Sequence, residues 1–341
     1  MQEFPSITHA TIHYYDGPSP ADPRTGTAAA SANGEANPQV MPITDIRSLL
    51  FPPPAAFTLD ISGFTVVKHP SELSYRPYSW DSWNDAYLRE SIYYPEIEKV
   101  VKEQTGAKKV LILAGTVRTR LFEEPERRPT PPPLPEGTVP LNTNKGNYPA
   151  FKADRPRVGG FDKGQEQGPA KKPHIDFGVD GARATLRNWR QDIADEAKDI
   201  IAAEDEAAGL PGGLWENYKG RRWGIFGTWR PLLPIKRDPL GFVDFETVDK
   251  QDLVSYFMRP PGIHGPYETD IKLSKASAKH KWYWCKDQQP DELTILKFWD
   301  SESEKPGSKV AGGIPHTSFH LEETDDLPPR ESLEVRVVAF W

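Results

Sequence analysis

Two short segments carry residue types that together can hold a metal: Lys172-Pro173-His174-Ile175-Asp176-Phe177-Gly178 and Gly313-Ile314-Pro315-His316-Thr317-Ser318-Phe319. On an extended segment, side chains two apart point the same way, so His174 and Asp176 present an imidazole and a carboxylate on one face. His316, later in the chain, can complete a 2-His-1-carboxylate set on one face of an octahedral ion. That set suits non-haem Fe(II) and leaves three positions open for a cosubstrate and dioxygen. The plain alternative is a hydrogen-bonded surface pair. A second His-x-acid, His320-Leu321-Glu322, shows that such pairs also arise without a metal, and no His follows it to close a triad. His320 shares an extended face with His316 and is the second choice for the distal ligand.

The segment after His316 supports the metal reading. Residues 329–341, Pro-Arg-Glu-Ser-Leu-Glu-Val-Arg-Val-Val-Ala-Phe-Trp, alternate polar and apolar and then become wholly apolar. This pattern predicts a strand with one face toward a cavity and a buried end. Arg330, Ser332, Glu334 and Arg336 share its polar face. An Arg with a Ser two residues on can clamp a carboxylate with a guanidinium fork and a hydroxyl. The competing reading is an edge strand whose Arg and Glu residues pair in solvent.

Five motifs then resemble one family as a set: Pro173-His174-Ile175-Asp176, Gly227-Thr228-Trp229-Arg230-Pro231-Leu232, Leu296-Lys297-Phe298-Trp299-Asp300-Ser301, Pro315-His316-Thr317-Ser318-Phe319 and the run from Pro329 to Arg336. They resemble the fungal gibberellin-desaturase-like and cephalosporin-methoxylase-like oxidoreductases of secondary metabolism, from about Ala10 to Trp341. The resemblance implies Fe(II) on His174, Asp176 and His316, with dioxygen and 2-oxoglutarate as cosubstrates. The far carboxylate of 2-oxoglutarate would meet Arg330, helped by Ser332, with Arg336 as second choice. It also implies hydroxylation, desaturation or oxidative cyclisation of a small organic metabolite. One departure is Ala114-Gly115-Thr116-Val117-Arg118, where a His is expected before the Thr. The substrate side is therefore assigned to Arg118, Trp229 and Arg230 as candidates, without a particular relative's substrate.

Composition excludes several classes. Net charge is −7, from 42 basic against 49 acidic residues, which argues against a nucleic-acid partner. Apolar runs such as Val110-Leu111-Ile112-Leu113-Ala114-Gly115 suit a buried strand and are too short to cross a membrane. Met1-Gln2-Glu3-Phe4-Pro5 lacks the start of a secretory signal, and the single cysteine, Cys285, can form no internal disulfide. A cytoplasmic protein acting on a small molecule is expected. No Gly-x-Ser-x-Gly elbow, phosphate loop or His-Glu-x-x-His helix competes for the chemistry. Two rivals remain, a divalent-metal cupin-type hydrolase or isomerase and a non-catalytic small-molecule-binding barrel.

The elements that must position these residues read as α+β. Helices are expected over residues 85–104, interrupted at Pro95, and over 182–208, ended by Gly209-Leu210-Pro211. Short strands are expected at 10–15, 109–117, 223–229, 241–245, 280–285, 292–299, 314–320 and 332–340. Many short strands flanked by helices predict a double-stranded β-helix, a jelly-roll, cupin-like barrel. The expected organisation is one catalytic domain over 1–341. Within it, 1–122 is an N-terminal extension packing on the barrel, 123–172 a Pro/Gly-rich loop or lid, and 173–341 the jelly-roll core with a helical insertion. Residues 17–37 read as a long loop, and the irregular stretch around His264 as another.

Overall fold

Among the described residues, segments rich in β-branched and aromatic residues form strands from Ile7 to Phe340. A computed structural model describes residues 5–17, 36–50, 57–121, 155–159, 167–258 and 269–341. The strands before the first metal-site motif are β1 (Ile7–Tyr15), β2 (Ala36–Asp45), β3 (Phe64–Lys68), β4 (Lys109–Arg118) and β5 (Arg157–Gly159). There follow β6 (His174–Ile175), β7 (Trp223–Pro231), β8 (Leu240–Val243), β9 (Leu253–Met258) and β10 (Thr269–Ser274). The last are β11 (Trp282–Trp284), β12 (Glu292–Asp300), β13 (His316–Ser318) and β14 (Ser332–Phe340).

One sheet runs β1-β2-β11-β8-β13-β6-β10-β9 and the other β3-β12-β7-β14-β4-β5. Pairing is antiparallel except for β2 with β11 and β4 with β5. The inner faces meet in a core that joins Phe242 and Ile175 of the first sheet to Ile225, Leu296 and Val338 of the second. This is the double-stranded β-helix that the strand pattern predicts. The N-terminal third supplies strands to both sheets. β1 and β2 end one sheet, while β3 flanks β12 and β4 flanks β14 in the other.

The helix Tyr94–Thr105 buries Ile97, Val100 and Val101 against the outer-facing Val335, Val337 and Ala339 of β14. It ends where Gly106 takes a left-handed φ of 72°. Pro95 sits in its first turn, where no amide donor is required, and a π turn over Arg89–Tyr93 leads into it. The single helix expected over 182–208 is instead three: Val179–Asn188, Gln191–Glu196 and Lys198–Ala208. The first break has a local cause. Trp189 Nε1 donates to the Leu113 carbonyl at 3.3 Å, and Arg190, in extended conformation, donates to Ile112 O at 2.8 Å. Satisfying those two strand carbonyls outweighs one more helical turn. The loop reading of 17–37 and the lid reading of 123–172 fall mostly outside the described residues, and His264 lies wholly outside them. The final residues of the second stretch are described, and Ala170 lines the cleft between the sheets.

Candidate metal centre

His174 and His316 face each other directly across the antiparallel β6–β13 pair, so the ladder itself brings the two imidazoles together. Their ring centroids are 4.5 Å apart. Asp176 follows β6, and its Oδ1 lies 3.2 Å from His174 Nε2 and 3.6 Å from His316 Nε2. One potential ligand atom from each of the three residues lies within 4.8 Å of the others. Each imidazole is oriented by its own strand: His174 Nδ1 pairs with Lys172 O at 2.8 Å and His316 Nδ1 with Ile314 O at 3.4 Å. A donor Nδ1–H leaves both Nε2 lone pairs toward the common centre, the tautomer a metal needs. Burial, followed by the neighbouring His174, pushes the His316 imidazole down to about 3, so it is neutral at ordinary pH. Burial works against ionised Asp176, but the Arg336 guanidinium outweighs it and holds the carboxyl well below its usual range. Two imidazoles and one carboxylate are a donor set for a divalent ion.

Two β-bulges shape the wall opposite. Between β12 and β7 the register slips at Phe298, and between β14 and β4 it slips at Leu113, beside Arg336. Bulges re-aim side chains next to sites. The Phe298 ring stacks on His316 with centroids 5.2 Å apart and 19° between planes. It passes over Gly227, where a Cβ would stand 2.2 Å from Phe298 Cζ. Arg336 donates Nε–H to Asp176 Oδ2 at 2.5 Å, and its Nη2 forms an ion pair with Glu334 Oε1 at 2.8 Å without the geometry of a hydrogen bond. Glu334 also lies 3.8 Å from Arg118 Nη2.

Further along the same face, Arg330 donates to Asp238 O and lies over the Trp229 ring, 5.4 Å from its centroid. Its Nε, the Ser332 hydroxyl and Trp229 Nε1 are buried with no hydrogen-bond partner among the described residues. Burial and the nearby Arg118 guanidinium push Arg330 down to about 9. A desolvated cation beside unpaired donors is a site made for an anionic ligand, because each unmet group carries its full desolvation cost.

Eight of the nine residues singled out in sequence gather at this cleft; Arg230 does not. It adjoins Trp229 on β7, and successive strand residues point to opposite faces, so sharing a strand could not put both beside the substrate. Arg230 is fully buried on the outer side. Its guanidinium donates to Tyr93 Oη at 3.2 Å, to the His69 and Pro290 carbonyls at 2.7 Å each and to His69 Nδ1 at 2.7 Å. Its partners are neutral acceptors, not the surface carboxylates that ordinary pairing suggests. His320 is 44% exposed and lies 3.8 Å from Asp325, outside the gathered trio. Trp223, Trp282, Trp284 and Trp299 are core residues. Phe298 and Gly227 went unassigned in sequence although both lie in quoted motifs, because a bulge has no reliable sequence signature.

The chain matches a family model described as "Oxidoreductase/YMDC permease-like domain" over residues 12–340. It is 48% identical over 336 residues to the "Gibberellin cluster GA4 desaturase" of Gibberella fujikuroi, covering 98% of this chain and 96% of that one. The chain belongs to the fungal gibberellin-desaturase-like oxidoreductases. Another relative of this family, the "Alpha-ketoglutarate-dependent dioxygenase phiK" of a fungal species, is 26% identical over 84% of this chain and 80% of that one. The solved "iron and alpha-ketoglutarate-dependent endoperoxidase NvfI" shows the same fold, with a TM-score of 0.65 at 22% identity and 98% of each chain covered. Membership makes this chain an enzyme of the Fe(II)/2-oxoglutarate-dependent class of fungal secondary metabolism, which removes the binding-barrel and hydrolase rivals. No helix among the described residues is long and apolar enough to cross a membrane.

Proposed function

We propose that His174, Asp176 and His316 hold Fe(II), and that Arg330 with Ser332 holds the far carboxylate of 2-oxoglutarate. The observation that carries this reading is the cluster of buried donors on Arg330, Ser332 and Trp229, unpartnered among the described residues and beside the cleft that holds the three ligands. Arg330 is chosen over Arg336 because Arg336 is already engaged by Asp176 and Glu334. Bound there, Fe(II) with 2-oxoglutarate and dioxygen supplies an oxidant for an unactivated C–H bond, while the cosubstrate leaves as succinate and carbon dioxide. The chain's own residues do the rest. The imidazoles and carboxylate fix the ion, Arg330 sets the cosubstrate's direction, and Phe298, Leu296 and Leu240 keep the cleft wall apolar against water. Arg118, beside the cleft, offers a cation to a polar or acidic group of the substrate.

The relative at 48% identity is named a desaturase, which favours removal of two hydrogens from a small organic substrate over hydroxyl insertion. Mass spectrometry of succinate and product, with Fe(II), 2-oxoglutarate and a panel of candidate metabolites, tests both parts. Succinate must appear only with 2-oxoglutarate present. A product gaining oxygen instead of losing two hydrogens would overturn the desaturase assignment while keeping the class.

A further inference from the structure

We infer that Arg336, braced by Glu334, is a positioning residue that restricts Asp176 to a single metal-binding oxygen and so keeps one position of the metal free for dioxygen. The inference rests on the metal assignment above and adds a role that the assignment does not need. The two carboxylate oxygens of Asp176 are in different surroundings. Oδ1 faces both Nε2 atoms, at 3.2 and 3.6 Å, while Oδ2 is taken by Arg336 Nε at 2.5 Å. A charge-assisted contact this short makes Oδ2 a poor second ligand, because binding it to an ion would cost the guanidinium its partner inside a buried wall.

The coordination arithmetic gives this contact a consequence. An octahedral ion bound by three protein atoms and a cosubstrate using two oxygens retains one position. A carboxylate binding through both oxygens would fill it.

The surrounding fold holds Arg336 in this pose. It sits where the β14–β4 ladder slips, in register with Ala114 on β4 and Gly227 on β7. The slipped carbonyls of Ile112 and Leu113 are held by Arg190 and Trp189, so the bulge is fixed from behind. Glu334 takes Arg336 Nη2 at 2.8 Å, and Thr116 Oγ1 stands 3.5 Å from Nη1. An arginine wanted only for bulk or surface charge would not sit beside a bulge and between two buried carboxylates.

The test uses the full chain without oxygen. Fe(II) and 2-oxoglutarate are added first and followed by the visible band of their complex. Nitric oxide, an unreactive stand-in for dioxygen, is then titrated and followed by electron paramagnetic resonance. Arg336→Met, of similar length but without donors, should still bind Fe(II) and 2-oxoglutarate, yet take nitric oxide about tenfold or more weakly, on the scale of metal-site supporting residues. Arg336→Lys should recover part of the loss, and Glu334→Gln should show a smaller loss in the same direction. Equal nitric oxide affinity in Arg336→Met and the unaltered enzyme overturns the inference. So does a folded Arg336→Met that no longer binds iron, since Arg336 would then be needed for ligation itself. If Arg336→Met does not fold, Glu334→Gln decides, and unaltered nitric oxide binding there refutes the role. Failure of the unaltered enzyme to form the iron–2-oxoglutarate band would instead overturn the metal assignment.

Discussion

Three arginines near one strand face separate by what each guanidinium already touches. Arg330 is buried with Nε unpartnered among the described residues, Arg336 is spent on Asp176 and Glu334, and Arg230 is saturated by neutral acceptors on the outer side. Arg330→Ala is therefore expected to raise the 2-oxoglutarate requirement about ten- to a hundredfold, from about 1.5–3 kcal/mol for a charge-assisted contact, with Ser332→Ala milder. Steady-state succinate release against 2-oxoglutarate concentration measures it, and an unchanged requirement rules Arg330 out as the clamp. Arg230→Met is expected to leave that requirement unchanged while lowering stability by about 2–4 kcal/mol, because buried carbonyls of His69 and Pro290 lose their donor. Denaturant unfolding checks the stability loss. A raised 2-oxoglutarate requirement in a fully stable variant would return Arg230 to the site.

At the scale of elements, the bulge at Phe298 is what turns a strand residue onto His316. Gly227 is the position that tolerates it, because any Cβ there meets the ring at 2.2 Å. Gly227→Ala should push Phe298 off His316 and weaken Fe(II) binding by roughly tenfold, the scale seen when a ligand's support is lost. Anaerobic Fe(II) titration beside Phe298→Leu tests this. Full iron affinity in both variants would make the stacking incidental to ligation. The strands of the wall opposite the ligands are legible in sequence almost to the residue: β14 spans Ser332–Phe340 as the alternation predicts, and β7 and β12 begin where expected, whereas β13 covers only His316–Ser318 of the expected 314–320. The sequence pattern does not predict strands β2, β3, β5, β9 and β10. β10 alternates, but with only two apolar residues, Ile271 and Leu273. The break at Trp189-Arg190 was hidden for another reason, since helical spacing continues through it and only two distant strand carbonyls override it.

At the scale of the molecule, the bond from Arg230 to His69 ties β7 to the turn after β3 and gives folding a pH dependence. Burial, and then Arg230, push the His69 imidazole down to about 4 from its ordinary 6.5. The unfolded chain therefore takes up a proton first as pH falls. The stabilisation is complete above about 6.5 and is lost progressively as pH drops from there toward about 4. His69→Gln, which keeps an acceptor for Arg230, should flatten that part of the stability–pH curve in denaturant titrations. An identical curve would place the acid sensitivity elsewhere.

The sequence by itself determined the pieces that are local or ordered along the chain. These are the His-x-Asp pair on an extended segment, the distal His in the right order, the Arg-x-Ser face and the barrel built of short strands. They are legible because period-two geometry is a property of the backbone and needs no partner. The tertiary structure alone decided which arginine is spare, that Trp229 and Arg230 part company across one sheet, and that Phe298 and Gly227 belong to the site. Each of these depends on which strand lies alongside and where its register slips. Register is set by contacts between residues a hundred or more positions apart, such as Thr228 with Val335, and a single sequence does not display those contacts.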